Sequence, residues 1–194
     1  MIQDPRVFRG LLLVIAFQCA SIAVVTAQSS AASSQDQQAL SDFNRKTKDY
    51  INNERSLEAA RMKPTNDVAK LEQQRQQLRD AVQQSRANAK QGDLFTPEIA
   101  RIFRKTLADL LHGPDGRKIR ASLNHAEPGA PAVFKVNAVF PNQSGQPIQS
   151  VPPTVLRVLP SLPKGLEYCI AGNTLALRDP SANMVVDYLP NAFQ

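Results

Sequence analysis

The C-terminal stretch LEYCIAGNTLALRDPSANMVVDYLP, residues 166–190, constrains the fold more than any other part of the sequence. Apolar and polar residues alternate along it, as they do in strands that bury one face. Gly172-Asn173 fits a two-residue hairpin turn, since glycine accepts the positive φ that such turns require. Asp179-Pro180 marks a second turn. The sequence therefore predicts a three-stranded antiparallel meander over residues 166–171, 174–178 and 184–189.

A sheet this small has to cover one face with a helix. The segment TPEIARIFRKTLADLLHG supplies a strong candidate, with Thr96 as N-cap, Pro97 in the first turn and Gly113 at the end. It carries a wide apolar face, which consists of Ile99, Ile102, Phe103, Leu107, Leu110 and Leu111. We therefore expect a helix over residues 97–112 at the centre of the core, and a short helix over residues 117–123.

Two further segments extend this unit. Residues 132–140, AVFKVNAVF, alternate in hydrophobicity and predict a fourth strand. Residues 141–153 are rich in Pro, Gln and Ser and predict a loop, and residues 153–159 fit a short helix that ends before Pro160. The predicted unit is a helix packed on a three- to four-stranded antiparallel sheet.

The region before it predicts a long helical hairpin over residues 39–91. Pro64 separates the two helices, and Thr65-Asn66 offers a cap for the second. Each helix has a narrow apolar seam with a spacing near 3.5 residues. The first seam contains Leu40, Phe43, Tyr50, Ile51 and Leu57, with Thr47 and Glu54 at the intervening places, and the second contains Val68, Leu71, Leu78, Val82 and Ala89. Seams this narrow need another surface to pack on.

The N-terminus is typical of an export signal. Arg6 and Arg9 precede the apolar run LLLVIAF, and Val25-Thr26-Ala27 supplies small residues of the kind that a signal peptidase reads. We expect a signal peptide over residues 1–27, a disordered linker over residues 28–38, and a periplasmic or extracellular location without a transmembrane span after cleavage. The alternative is that the signal is retained as a membrane anchor.

The predicted fold class is therefore α+β. In chain order the prediction places the signal peptide at 1–27, the linker at 28–38, the helical hairpin at 39–91 and a small α+β domain at 94–194. Of the two cysteines in the sequence, Cys19 would leave with the signal, so that Cys169 has no partner for an internal disulfide. We expect Cys169 to be a buried, apolar strand residue.

Charge limits the classes of partner. The chain has 23 basic and 17 acidic residues, and the two signs are interspersed. This pattern indicates a solvated surface, not a basic stripe for nucleic acid. Weak contact with an anionic surface is compatible with the net charge of +6.

Few residues are candidates for chemistry. His112, Asp115 and His125 are candidate metal ligands, although tight ligand spacings such as His-x-x-x-His do not occur. Glu167 with Asp187, or Asp179 with Asp187, could form paired carboxylates of the kind used in glycoside hydrolysis. The simpler interpretation gives Asp179 a turn-capping role and leaves Asp187 on the open face of the sheet. On these grounds we predict no catalytic residues, no cofactor and no enzymatic activity.

Two resemblances bear on the prediction. KPTNDVAKLEQQ, AKQGDLFTPEIARIFRKTLADLL and VPPTVLRVLPSLPKGLEYCIAGNTLALRDPSANMVVDYLPNA occur in this order, and the chain resembles an uncharacterised group of small exported bacterial proteins with these landmarks. That resemblance implies export and no particular activity. GNTLALRD followed by MVVD is similar to the terminal hairpin of small periplasmic proteins of the RcnB type, which act in nickel and cobalt homeostasis.

Three functions remain open from the sequence. The first is a non-enzymatic envelope or periplasmic module with an interaction or structural role, which acts through an envelope protein partner or through self-association. The second is a periplasmic metal-responsive or metal-buffering protein, for which His112 and His125 would be ligands. The third is an envelope hydrolase that uses the paired carboxylates.

Overall fold

The computed structural model describes residues 22–124, 134–140 and 151–194 of the protein. Residues 1–21 of the predicted signal peptide lie outside these ranges, as does most of the predicted loop over residues 141–153. The chain divides into two compact units, residues 1–35 and residues 36–194. The described residues of the first unit, 22–35, are helical.

The described residues form helices and an antiparallel sheet, which confirms the α+β class. The helices are α1 (Ile22–Arg61), α2 (Val68–Ser85), α3 (Pro97–His112), α4 (Gly116–Asn124) and α5 (Pro153–Leu156), and the strands are β1 (Glu167–Ala171), β2 (Thr174–Asp179) and β3 (Met184–Leu189). Within the described residues, none of the helices combines the length and the apolar character that crossing a membrane requires.

The sheet is the predicted meander. Its strand order is β1-β2-β3, and both pairs are antiparallel. Ala171 pairs with Thr174, so that Gly172, with a φ of 55°, and Asn173 form the two-residue turn. The register shifts in the second pair, because Leu177 lies opposite Asp187 and Arg178 opposite Val185. This bulge leaves Val186 and Asp187 on the same side of the sheet as Leu177.

One face of the sheet packs on helix α3, as predicted. Thr96 caps the helix and Pro97 opens it, and Phe103 and Leu107 are fully buried. The Phe103 ring lies 5.4 Å from Phe43 and 5.6 Å from Phe95, measured between centroids. It also contacts Tyr168 of β1 at 6.3 Å. An aromatic cluster therefore joins α1, α3 and the sheet.

Helices α1 and α2 belong to the same core. Phe43 and Ile51 of α1, with Leu78 and Val82 of α2, are buried in one cluster together with α3 and the sheet. The predicted hairpin at 39–91 and the predicted domain at 94–194 both lie within the unit 36–194. The narrow apolar seams explain this arrangement, because two helices that pack on each other through such seams bury too little apolar surface to form a separate core.

Three details of α1 and α2 differ from the predictions. Helix α2 is capped by Asp67, whose Oδ1 accepts from the backbone N–H groups of Ala69 and Lys70, and not by Thr65-Asn66. Val68, assigned to the seam, is 80% exposed. Residues 28–38, predicted to be disordered, lie within α1, since no Gly or Pro interrupts the chain between residues 22 and 61.

The predicted fourth strand over residues 132–140 is wrong for its described part. Residues 134–140 form a turn with an isolated bridge between Val139 and Met184. Asn137 has a φ of 62°, a left-handed conformation that breaks an extended run and that asparagine tolerates. On either side of this turn, Phe134 and Phe140 fold over the second face of the sheet and pack with Cys169, Ala176 and Val185.

The core position of α3 yields a test of packing. The substitution Phe103→Ala should lower the free energy of unfolding by about 3–5 kcal/mol, because it leaves a cavity beside three aromatic rings. Leu156→Ala, at a residue that is 45% exposed, is the control and should change stability by less than about 0.5 kcal/mol. Urea unfolding of both variants measures the difference, and equal stabilities would contradict the packing described here.

Candidate functional site

The carboxylate of Asp187 is the most heavily hydrogen-bonded side chain described in the molecule. Asp187 is fully buried on β3. Its Oδ2 accepts from the backbone N–H groups of Leu94 at 2.8 Å and Phe95 at 2.9 Å. Its Oδ1 accepts from Gly92 at 3.0 Å and from the N–H of Tyr188 at 2.8 Å. Asp187 therefore attaches the loop before α3 to the sheet.

This position corrects the prediction that Asp187 lies on the open face of the sheet. The loop at residues 92–95 turns at Gly92, where φ is 90°, and presents three N–H groups that have to be satisfied in the interior. A carboxylate is the acceptor that can satisfy all of them. Burial raises the pKa of the Asp187 carboxyl, and the N–H groups act in the opposite direction because they stabilise the charged form.

Asp179 occupies a second buried position, at the end of β2. Tyr50 of α1 donates its hydroxyl proton to Asp179 Oδ2 at 2.6 Å. The N–H of Ala182 donates to Oδ1 at 3.0 Å, which confirms the predicted turn role. Burial raises the pKa of Asp179, and these hydrogen bonds lower it. Asp179 thus joins the β2–β3 turn to α1.

Glu54 lies one turn beyond Tyr50 on α1 and is 2% exposed. Its Oε1 is buried and has no hydrogen-bond partner. Burial, and after it the negative charge of Asp179, raise the pKa of the Glu54 carboxyl to about 7. This side chain occupies a seam position of α1 without the compensation that Asp179 and Asp187 receive.

Arg86 completes the arrangement from the end of α2. Its guanidinium lies 5.0 Å above the centroid of the Tyr50 ring. It donates to Asn137 Oδ1 at 2.9 Å and to the carbonyl oxygen of Val186 at 3.0 Å, and Asn137 Nδ2 donates back to the Arg86 carbonyl at 2.7 Å. We refer to Tyr50, Glu54, Arg86 and Asp179 as the Tyr50 cluster.

An open groove of about 650 Å³ lies beside the Tyr50 cluster. One wall is α1, and the other is the end of α2 with the loop that follows, residues 84–89 and 92–94. Lys46 crosses between the walls and donates to the carbonyl oxygen of Asp93 at 2.7 Å. The remaining side chains of the α1 wall are those of Asp49, Tyr50 and Asn53. The groove thus presents hydrogen-bond donors and acceptors together with positive and negative charges. Such a lining suits the recognition of a polar ligand.

The predicted metal candidates are not assembled in the part of the chain that the structure describes. His112 Nδ1 lies 2.7 Å from the carbonyl oxygen of Ala108, one turn back in α3. Asp115 Oδ1 pairs with Lys118 at 3.5 Å. His125 lies outside the described residues. Among those described, no three His, Cys, Asp or Glu side chains are grouped to hold a metal ion.

The predicted carboxylate pair Glu167 and Asp187 is separated by the sheet. Glu167 lies on the same face as Cys169 and accepts from Arg178 at 2.9 Å, whereas Asp187 lies on the face that packs on the helices. Asp179 and Asp187 share a face, but each is held by its own set of donors. Cys169 is buried as predicted, and burial raises the pKa of its thiol to about 12, which opposes its use as a nucleophile.

Arg86 and the contacts of the polar seam residues were not predicted from the sequence. Tyr50 and Glu54 were recognised as seam positions, and a glutamate in a seam is an available signal of a buried polar contact. Arg86 carries no such signal, since its partners lie 51 and 100 residues further along the chain.

Comparison with known proteins finds no matching family model, no matching curated protein and no matching solved structure. The resemblances to small exported proteins and to the RcnB-type hairpin therefore remain predictions from the sequence.

The contacts of Asp187 lead to a prediction about stability. Asp187→Asn should lower the free energy of unfolding by about 3–5 kcal/mol, because the amide places an N–H group against N–H donors and removes the charge that they stabilise. The control Asp109→Asn changes an exposed aspartate that pairs with Lys105 at the surface and should cost less than about 1 kcal/mol. Guanidinium unfolding at neutral pH measures both, and a cost for Asp187→Asn as small as that of the control would contradict the assignment.

The Tyr50 hydroxyl offers a second comparison. Tyr50→Phe removes a hydrogen bond to a carboxylate and should cost about 1.5–3 kcal/mol. Tyr168, a tyrosine with a similar exposed fraction, donates to the neutral carbonyl oxygen of Pro160 at 3.0 Å, and Tyr168→Phe should cost about 0.5–1.5 kcal/mol. Thermal and urea unfolding of the two variants rank them, and the reverse order would show that Asp179 is not charged when it accepts from Tyr50.

Proposed function

We propose that the protein is an exported, non-enzymatic interaction module of the bacterial envelope, and that it binds a polar polypeptide in the groove between α1 and the end of α2. In this proposal, residues 39–91 form an antiparallel helical hairpin whose inner side belongs to the core and whose open end presents the groove. Asn53 Nδ2 donates to Ser85 Oγ at 3.1 Å, and the N–H of Lys63 donates to Gln74 Oε1 at 2.8 Å. These contacts support an antiparallel hairpin, because residue 53 lies beside residue 85 and the later residue 63 lies beside the earlier residue 74.

The observation that carries the proposal is that the acidic side chains behind the groove are already hydrogen-bonded within the protein. The carboxylates of Asp179 and Asp187 accept hydrogen bonds from the protein itself at both oxygens. Such carboxylates hold the fold together and are not free to transfer protons to a ligand. The groove itself is lined by the amide side chains of Asn53, Gln84 and Asn88 and by charges of both signs, which match the backbone and side chains of a polypeptide.

Export is supported by the composition of the N-terminal segment. A basic n-region, an apolar run and small residues before position 28 are what a signal peptidase requires. Mass spectrometry of the protein recovered from its native host should give a mature N-terminus at or near Gln28, and a chain that retains residue 1 would favour the membrane-anchor alternative.

Site-specific crosslinking in the native host tests the binding proposal. Asn88→p-benzoylphenylalanine places a photoreactive group in the groove, and Lys118→p-benzoylphenylalanine, at an exposed position of α4, is the matched control. We expect light-dependent adducts of one defined mass from the groove position and none from the control. The partner, identified by mass spectrometry and purified, should bind the protein at least about tenfold more weakly after Asn53→Ala, because a polar interface contact is lost.

The adduct mass also separates the two kinds of partner. A mass of twice the chain would assign the groove to self-association, which light scattering of the purified protein would then show. Equal labelling of the groove and control positions, or no adduct from either, would contradict the proposal.

A further inference from the structure

The neighbourhood of Glu54 has a property that the proposed function does not use. Tyr50, Glu54 and Asp179 bring three acidic groups together in the interior, where Glu54 and Asp179 are almost without solvent contact. Asp179 receives hydrogen bonds from Tyr50 and Ala182. Glu54 has one buried carboxyl oxygen without any partner. A buried carboxylate that lacks partners is far more costly than the neutral acid, so the two protonation states of Glu54 do not fit this site equally well.

The surrounding cations do not compensate for Glu54. Arg55, next to it on α1, directs its guanidinium to the carbonyl oxygen of Lys164 at 3.1 Å. Arg86 of α2 is held over Tyr50 by Asn137 and Val186. Within the described part of the chain, Glu54 forms no ion pair. Asp179 and Glu58 raise the pKa of its carboxyl, and the charge of Arg55 lowers it without offsetting the effect of burial.

We propose that Glu54 makes the attachment of residues 50–61 of α1 to the sheet depend on protonation. The neutral acid remains buried beside Asp179, and α1 stays packed. The carboxylate has to regain solvent or a cation, and the simplest movement that provides either is a local opening of this end of α1. Because Phe43 anchors the preceding part of the helix in the aromatic cluster, the opening is confined to residues 50–61.

The sign of the effect follows from linkage. In the opened state the pKa of Glu54 returns to its ordinary value near 4.5, and in the packed state it is about 7. The packed state therefore binds more protons between these values, and its advantage decreases as the pH rises through this window. The advantage is complete below the ordinary pKa and does not change further above the raised one.

Amide hydrogen exchange, corrected for the intrinsic pH dependence of exchange, tests the proposal. Between about pH 5.5 and pH 8, the protection of residues 50–61 should fall by at least about tenfold, while that of α3 is retained. Glu54→Gln, which is neutral at every pH, should abolish the change. Glu72→Gln, at an exposed glutamate of α2, is the control and should leave it intact.

The outcomes separate a local, protonation-dependent attachment of residues 50–61, which we call the latch, from a general loss of stability. A parallel fall in the protection of α1 and α3 would overturn the proposal, as would a pH response in Glu54→Gln equal to that of the wild type. If Glu54→Gln does not fold, titration of the glutamate side-chain carbons by NMR in the wild-type protein gives the answer. A midpoint for Glu54 near 7 supports the latch, and one close to those of the exposed glutamates overturns it. None of these readouts depends on the groove or its partner.

Discussion

The buried carboxylate of Asp187 is the interaction on which the rest of the structure depends. A charge in the interior is tolerated only when donors surround it, and four backbone N–H groups do so here. Three of those donors belong to the loop at residues 92–95, so the carboxylate fixes where that loop meets β3. The loop carries Phe95 into contact with Phe43 and Phe103, and it ends at the cap of α3. The placement of the central helix therefore follows from one side chain on the last strand.

A three-stranded meander is too small to be stable alone, and this protein covers both of its faces by different means. Helices α1, α2 and α3 bury one face in the larger cluster. On the other face, Phe134 and Phe140 close over Cys169 and Val185, and Arg178 lies 5.0 Å from the centroid of the Phe140 ring. Asn137 at the top of this turn is bound by Arg86, which also binds the carbonyl oxygen of Val186 on β3. Arg86 thus connects the turn that covers the second face of the sheet with α2, which helps to cover the first face.

Features that depend on residues close together in the sequence were predicted correctly, and contacts between residues far apart in the sequence were not. The meander, the cap at Thr96 and the buried face of α3 depend on neighbours a few residues away, and alternation and helical spacing record such relations directly. The bond from Tyr50 to Asp179 spans 129 residues, and those from residues 92–95 to Asp187 span more than 90. No periodicity records which donors will meet a carboxylate, so Asp187 was assigned to the wrong face. The predicted fourth strand is wrong because Asn137 adopts a positive φ, and the residues that bind Asn137 there, Gln83 and Arg86, lie more than 50 residues away in the sequence.

The seam of α1 shows how one helix can be held firmly at one point and conditionally at another. Phe43 is buried among hydrocarbon and aromatic groups, whose contribution does not depend on pH. Thr47 and Glu54 occupy the intervening places of the same seam, and they are about as deeply buried as Phe43 and Ile51. An apolar side chain at position 54 would have fixed the helix at every pH, at no cost in desolvation. A glutamate there keeps the heptad spacing and makes the packing of this part of α1 depend on pH. The stability of the helix therefore decreases along its length, from the aromatic cluster towards Arg61.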